Sequence, residues 1–233
     1  AEPDVGGLGL QHPASFRDPS GFIFRNDDGV LLRQVNLVYQ DDYRCLMDSG
    51  LYEQLTTSEM LLTHEEVSLD ARMTDDAYRV IEPRPLSLIS YPYEWAFSAL
   101  QDAALLTLDV QLQAIKHGMS LKDASAYNVQ FEHGRPVFID TLSFERYQPG
   151  KPWAAYGQFC RHFLAPLALM AKTDISLVGL LVQHIDGVPL DLAAKLLPWR
   201  SRLNPGLFMH LHLHAKMVGR HADTSSTSQA TKN

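Results

Sequence analysis

Apolar and polar positions divide the chain into a strand-rich front and a helical remainder. Gly21-Phe-Ile-Phe-Arg25 and Val30-Leu-Leu-Arg-Gln-Val35 are strand-like runs on either side of Asn26-Asp27-Asp28-Gly29. Asp-Gly between two such runs predicts a β-hairpin. Residues 39–67 are more polar and predict helix, with Tyr43, Leu46, Met47, Leu51 and Leu55 as the apolar positions and Gly50 as a break point. Strand patterns return at Tyr78–Ile81 and Leu86–Ser90, divided by Pro83 and Pro85. Phe97, Leu100, Ala104, Leu108, Leu112 and Ile115 then recur every three or four residues. That periodicity predicts an amphipathic helix of about five turns, ending at Lys116-His117-Gly118. A second hairpin is expected from Val129–Phe131 and Val137–Ile139 around His133-Gly134. After Trp153 the pattern is helical, at about 156–172, 175–185, 189–197 and 205–220.

Strands in the first 90 or so residues and helices afterwards predict an α+β chain with two lobes. The boundary falls near Tyr91-Pro92, giving a sheet-rich lobe over 15–91 and a helical lobe over 92–221. The glycine-rich segment 1–14 and the polar segment 222–233 lack apolar periodicity and are expected to be flexible.

Composition narrows the function. The 233 residues are enough for one ordinary domain or two small ones. Lys and Arg total 20 against 27 Asp and Glu, a formal charge of -7, which argues against nucleic acid or anionic membrane as a partner held by bulk charge. No apolar run reaches the roughly 18 residues of a spanning helix. Cys45 and Cys160 make no disulfide framework and are read as reduced thiols of a cytoplasmic protein, and no signal peptide is expected at Ala1–Leu10.

The chemistry concentrates in 120–140. Asp123 and Asn128 are separated by four residues, the predicted hairpin follows, and Asp140 closes it. Paired strands lie about 4.8 Å apart. Asn128 before the first strand and Asp140 after the second are therefore expected side by side. An amide oxygen and a carboxylate are hard ligands suited to magnesium. Asp123, one loop away, is placed to orient or deprotonate a hydroxyl.

The Asp-x-x-x-x-Asn spacing, the hairpin and Ile139-Asp140 resemble the catalytic loop and metal-binding Asp of the protein-kinase-like superfamily, in its small-molecule kinase branch. The resemblance covers roughly 16–200. It implies a two-lobed kinase-like fold, with a small antiparallel-sheet lobe and a mainly helical one. It further implies transfer of a phosphoryl group from Mg-ATP to a hydroxyl of a small molecule or glycan. Asp123 takes the place of the catalytic base, and Asn128 and Asp140 those of the magnesium ligands. The chain departs from the pattern in four places. Leu121-Lys122 stands where His-Arg is usual, Thr141-Leu142 where Phe-Gly is usual, and the first hairpin has no G-x-G-x-x-G. No strand lysine is present, so Arg33 is the nearest phosphate-binding cation, with Glu53 or Glu59 as its helix partner. Tyr91 and Tyr93 are candidates for the border of an ATP pocket.

A second resemblance runs along the chain. Ser15-Phe-Arg-Asp-Pro-Ser-Gly-Phe22, Ile89-Ser-Tyr-Pro-Tyr-Glu-Trp95, Leu121-Lys-Asp-Ala-Ser-Ala-Tyr-Asn128 and His162-Phe-Leu-Ala-Pro-Leu-Ala-Leu-Met170 are similar to the N-terminal region of a bacterial family. Its members are labelled class I SAM-dependent methyltransferases, some linked to nodulation or surface-glycan genes. No G-x-G-x-G follows a strand here, so SAM is not expected to bind this chain. The alternative implied is a non-catalytic kinase-like module that binds substrate for, or regulates, a SAM-dependent methyltransferase.

His210 and His214 stand one turn apart, a zinc-like spacing, but lack a third ligand, so a helix with partly exposed histidines is the plainer reading. Ser125, Ser143 and Cys160 carry no nucleophile signature.

Overall fold

The computed structural model describes residues 18–217. The ends expected to be flexible, 1–14 and 222–233, lie outside them, as do the last residues of the helix expected at 205–220. The chain forms an α+β fold in two compact units. The first takes in residues 18–87, Val110–Leu121 and Val137–Pro149; the second takes in Leu88–Asp109, Lys122–Pro136 and residues 150–217.

The first unit is built on a four-stranded antiparallel sheet. Strands β1 (Gly21–Arg25) and β2 (Leu31–Asn36) form the expected hairpin, with Ile23 opposite Arg33. Helices α1 (Gln40–Asp48) and α2 (Leu51–Thr57) follow. Gly50 separates them at φ 78°, a left-handed conformation that a side chain disfavours. Strands β3 (His64–Val67) and β4 (Ala77–Pro83) complete the sheet in the order β1-β2-β4-β3. Residues alternate between the two faces. Phe22, Phe24, Leu32 and Val80 cluster together, and Val35 and Ile81 pack with Tyr39, Tyr43 and Leu142.

Two expectations are corrected here. Residues 64–67 are a strand rather than the end of a helix. The chain turns at Glu59 (φ 57°), and backbone pairing with β4 then outweighs the helical tendency of Glu65 and Glu66. Leu86–Ser90 forms no strand. Pro85 supplies no donor, and no strand among the described residues pairs with the segment, where Leu88 and Ile89 are exposed.

Helix α3 (Phe97–Lys116) forms where its periodicity predicts, and Gly118 follows it. The buried side is Leu100, Ala103, Ala104, Thr107, Val110, Gln111 and Ala114. Leu108, Leu112 and Ile115, expected on the packed face, are exposed. Short strands β5 (Met119–Leu121) and β8 (Phe144–Arg146) pair antiparallel, which the sequence pattern missed. Between them, β6 (Val129–Glu132) and β7 (Arg135–Phe138) form the second hairpin. His133 and Gly134 at its tip both have positive φ, as a tight hairpin turn requires.

The second unit is mainly helical. Residues 156–172 are continuously helical, with a π-helical turn at Cys160–Leu164. Its core gathers Cys160, Leu169, Leu181, Val188, Ala193 and Leu211. Among the described residues, no helix is long and apolar enough to cross a membrane.

Candidate functional site

In the first unit, Arg33 and Asp140 meet. Arg33 shares the sheet face of Val35, and Leu142 packs against Val35 on that face. Arg33 Nη1 lies 2.5 Å from Asp140 Oδ1, and the two side chains are only 11% and 16% exposed. The acidic partner of Arg33 is thus Asp140 itself. Asp140 also closes its own turn. Its Oδ1 accepts the Leu142 N–H at 2.9 Å, and its Oδ2 accepts the Ser143 hydroxyl at 2.7 Å. Burial raises the Asp140 pKa, but the Arg33 charge and these hydrogen bonds outweigh it and hold the carboxyl below the usual carboxylate range. Asp140 is therefore a fixed anion at neutral pH. Arg33 Nε is buried and has no hydrogen-bond partner among the described residues.

A hydrogen-bonded chain borders this pair. Tyr43 Oη donates to Glu66 Oε1 at 2.9 Å and lies 3.1 Å from His64 Nε2. A hydroxyl has one proton, so His64 Nε2 must carry the hydrogen in the second contact. His64 Nδ1 is then the acceptor toward the Thr141 hydroxyl, at 3.4 Å. Burial drives the His64 pKa down to about 4, with Glu66 opposing and Arg33 assisting. The ring is neutral, as the chain of bonds requires. Tyr39 donates its hydroxyl to the Phe144 carbonyl at 2.6 Å and ties down the strand that follows.

The second unit holds Asp123 and Asn128 in one short segment. Asp123 Oδ1 accepts the Ser125 N–H at 2.9 Å, Ser125 Oγ accepts the Tyr127 N–H at 3.2 Å, and the Ser125 carbonyl accepts the Asn128 N–H at 3.1 Å. Gln158 accepts the Ala124 N–H at 2.8 Å through its side-chain oxygen. The Tyr127 ring stands edge-on to His162 at 6.1 Å. His162 is buried, its Nδ1 has no partner among the described residues, and burial lowers its pKa to about 4. Tyr91 and Tyr93 stack at 5.4 Å and 7°.

Arg33 and Asp140 thus come together in the first unit, and Asp123 and Asn128 share a turn of the second. Sequence reasoning missed His64, Tyr43 and Gln158, whose roles arise from contacts distant in sequence. Ser143 is a hydrogen-bond donor to Asp140, a role signalled by its place three residues after an aspartate. His210 and His214 both meet Tyr156, and His212 turns away from them. His210 meets the Tyr156 hydroxyl at 2.6 Å, His214 stacks on Tyr156, and His212 bonds Ser201 at 2.8 Å. Among the described residues, no group of three or more His, Cys, Asp or Glu side chains is arranged to hold a metal.

No protein-family model matches the chain. The nodulation protein NoeA of Rhizobium meliloti (strain 1021) is 38% identical over 222 residues, covering 92% of this chain and 44% of that protein. The chain therefore spans less than half the length of this relative. Among solved structures, vaccinia related kinase 3 aligns with a TM-score of 0.39 at 12% identity, over 66% of this chain and 57% of that one.

Proposed function

We propose that the chain is a kinase-like phosphotransferase that moves a phosphoryl group from Mg-ATP to a hydroxyl of a small molecule or glycan. The observation that carries the reading is the buried Arg33–Asp140 pair. It sets a strand cation against the aspartate that ends the 120–140 motif. A charged Asp140 suits a hard divalent cation. The unpartnered Nε–H of Arg33 suits a phosphate oxygen. In this reading Asp140 would offer a carboxylate, and Asn128 an amide oxygen, to magnesium, which would neutralise phosphate charge. Asp123 takes the proton of the acceptor hydroxyl, Tyr91 and Tyr93 border the nucleotide, and the chemistry belongs in the cytoplasm, where ATP is found.

Thermal denaturation with millimolar Mg-ATP tests the reading. A rise in Tm is expected for the wild type, lost with EDTA and lost in Asp140→Asn measured against its own ligand-free baseline. No shift in the wild type overturns it.

One observation favours a second reading. Asp123 and Asp140 both accept hydrogen bonds within their own turns, as purely structural residues do. A non-catalytic module serving a methyltransferase would use them that way. It predicts stable association with such a protein and no ATP turnover.

A further inference from the structure

Helix α3 carries a second apolar face that the other described residues leave exposed. Leu105, Leu108, Leu112 and Ile115 are 53%, 37%, 55% and 42% exposed. Their spacings of three, four and three are those of a coiled-coil seam, and they form a stripe about 15 Å long. The opposite side, Ala103, Val110 and Ala114, is fully buried, so the helix cannot rotate to hide the stripe. The neighbouring polar positions on one flank are Asp102, Asp109 and Lys116, all exposed.

We propose that this face is a homodimer contact, in which α3 packs antiparallel against α3 of a second copy. Two features select the antiparallel arrangement. A twofold axis near Val110 sets Leu105 against Ile115 and Leu108 against Leu112, so the seam contains only apolar side chains. A parallel pair would extend the seam through Ser98 and Gln101 and bury polar layers. The antiparallel pair also brings Lys116 of each copy beside Asp102 of the other, two opposite-charge contacts. Its one unfavourable contact is Asp109 facing its own symmetry mate. The stripe and its mate bury about 700 Å² in total, below the roughly 1,200 Å² of stable interfaces. The dimer is therefore weak and exchanging.

Sedimentation of the whole chain over a wide concentration range tests this. The expected result is a reversible monomer–dimer equilibrium. Leu108→Asp and Leu112→Asp each weaken it at least about tenfold while Tm and far-UV circular dichroism stay unchanged, because both side chains are exposed. Lys116→Asp weakens the dimer and Asp102→Lys in the same chain restores it; this charge swap serves as the test if a leucine variant fails to fold. Asp109→Asn tightens it. Asp109→Cys, in a Cys45→Ser background, forms an intermolecular disulfide under mild oxidation. A chain that stays monomeric at several hundred micromolar overturns the proposal and leaves the face to another protein. So does a dimer indifferent to both leucine changes and the charge swap.

Discussion

Arg33 and Asp140, far apart in sequence, form a 2.5 Å ion pair with little exposure to solvent. The two-residue alternation of β2 directs Arg33 to the Val35 side of the sheet. Leu142, two residues after Asp140, enters the apolar cluster on that side. The turn after β7 is thus anchored twice, by an apolar side chain and by a charge pair.

Removing one partner of this pair should cost more than removing both. Arg33→Met leaves the Asp140 carboxylate buried without its cation. Complete burial would make that cost about 3–5 kcal/mol, and the remaining solvent contact reduces it to about 2–3 kcal/mol. Asp140→Asn in the same chain removes the stranded charge and should recover part of the loss. Urea denaturation of both single variants and the double variant measures the coupling. Strictly additive losses would show that the pair contributes nothing as a pair.

Acid should destabilise the protein before its carboxylates titrate. His64 and His162 have pKa values of about 4 in the folded chain, against about 6.5 when unfolded. The unfolded state takes up these protons first. Stability is therefore complete above pH 6.5 and falls between about 6.5 and 4, by up to about 3 kcal/mol per histidine. Asp140, also held below its ordinary value, adds a further loss only at lower pH. Protonation of His64 Nδ1 turns an acceptor into a donor facing the Thr141 hydroxyl. Tm measured from pH 7 to pH 4 should fall more steeply for the wild type than for His64→Gln. Equal slopes would remove His64 from this account.

The parts written in local chemistry were the legible ones. Asp28-Gly29 and His133-Gly134 announce their hairpins because the turn conformation depends on those residues alone. His64–Val67 was unreadable, since its strand character comes from pairing with β4, not from alternation in His-Glu-Glu-Val. The apolar repeat of α3 located the helix but not its buried side, because apolar residues recur on both faces. In the candidate site, Asp123, Asn128 and Asp140 were singled out by spacing and Arg33 by strand position. The pairing of Arg33 with Asp140 was not legible, because it joins a strand to a distant turn. Nor was the Tyr43–His64–Thr141 chain, as it joins three separate elements.

Gly50 gives a clean measure of backbone strain. A Cβ there would meet no heavy atom within 4 Å, so packing plays no part. Its φ of 78° still disfavours a side chain. Gly50→Ala should cost about 1 kcal/mol, and Gly50→Asn less, because Asn tolerates the left-handed region. Chemical denaturation of the two variants checks the order.

Asp123 separates chemistry from scaffolding. Its carboxylate accepts the Ser125 N–H at 2.9 Å and so closes the turn that carries Asn128. Asp123→Asn keeps an oxygen for that bond but cannot accept a proton from a substrate hydroxyl at neutral pH. Asp123→Ala loses both. If Asp123 is a general base, both variants lose phosphoryl transfer by about a hundredfold or more, although only the alanine variant loses stability, by about 1 kcal/mol. If it is only a turn residue, Asp123→Asn is indistinguishable from wild type in melting and in any turnover. Nucleotide hydrolysis and thermal melts on the same two preparations decide between these outcomes. A stable Asp123→Asn protein with unchanged turnover removes the catalytic role.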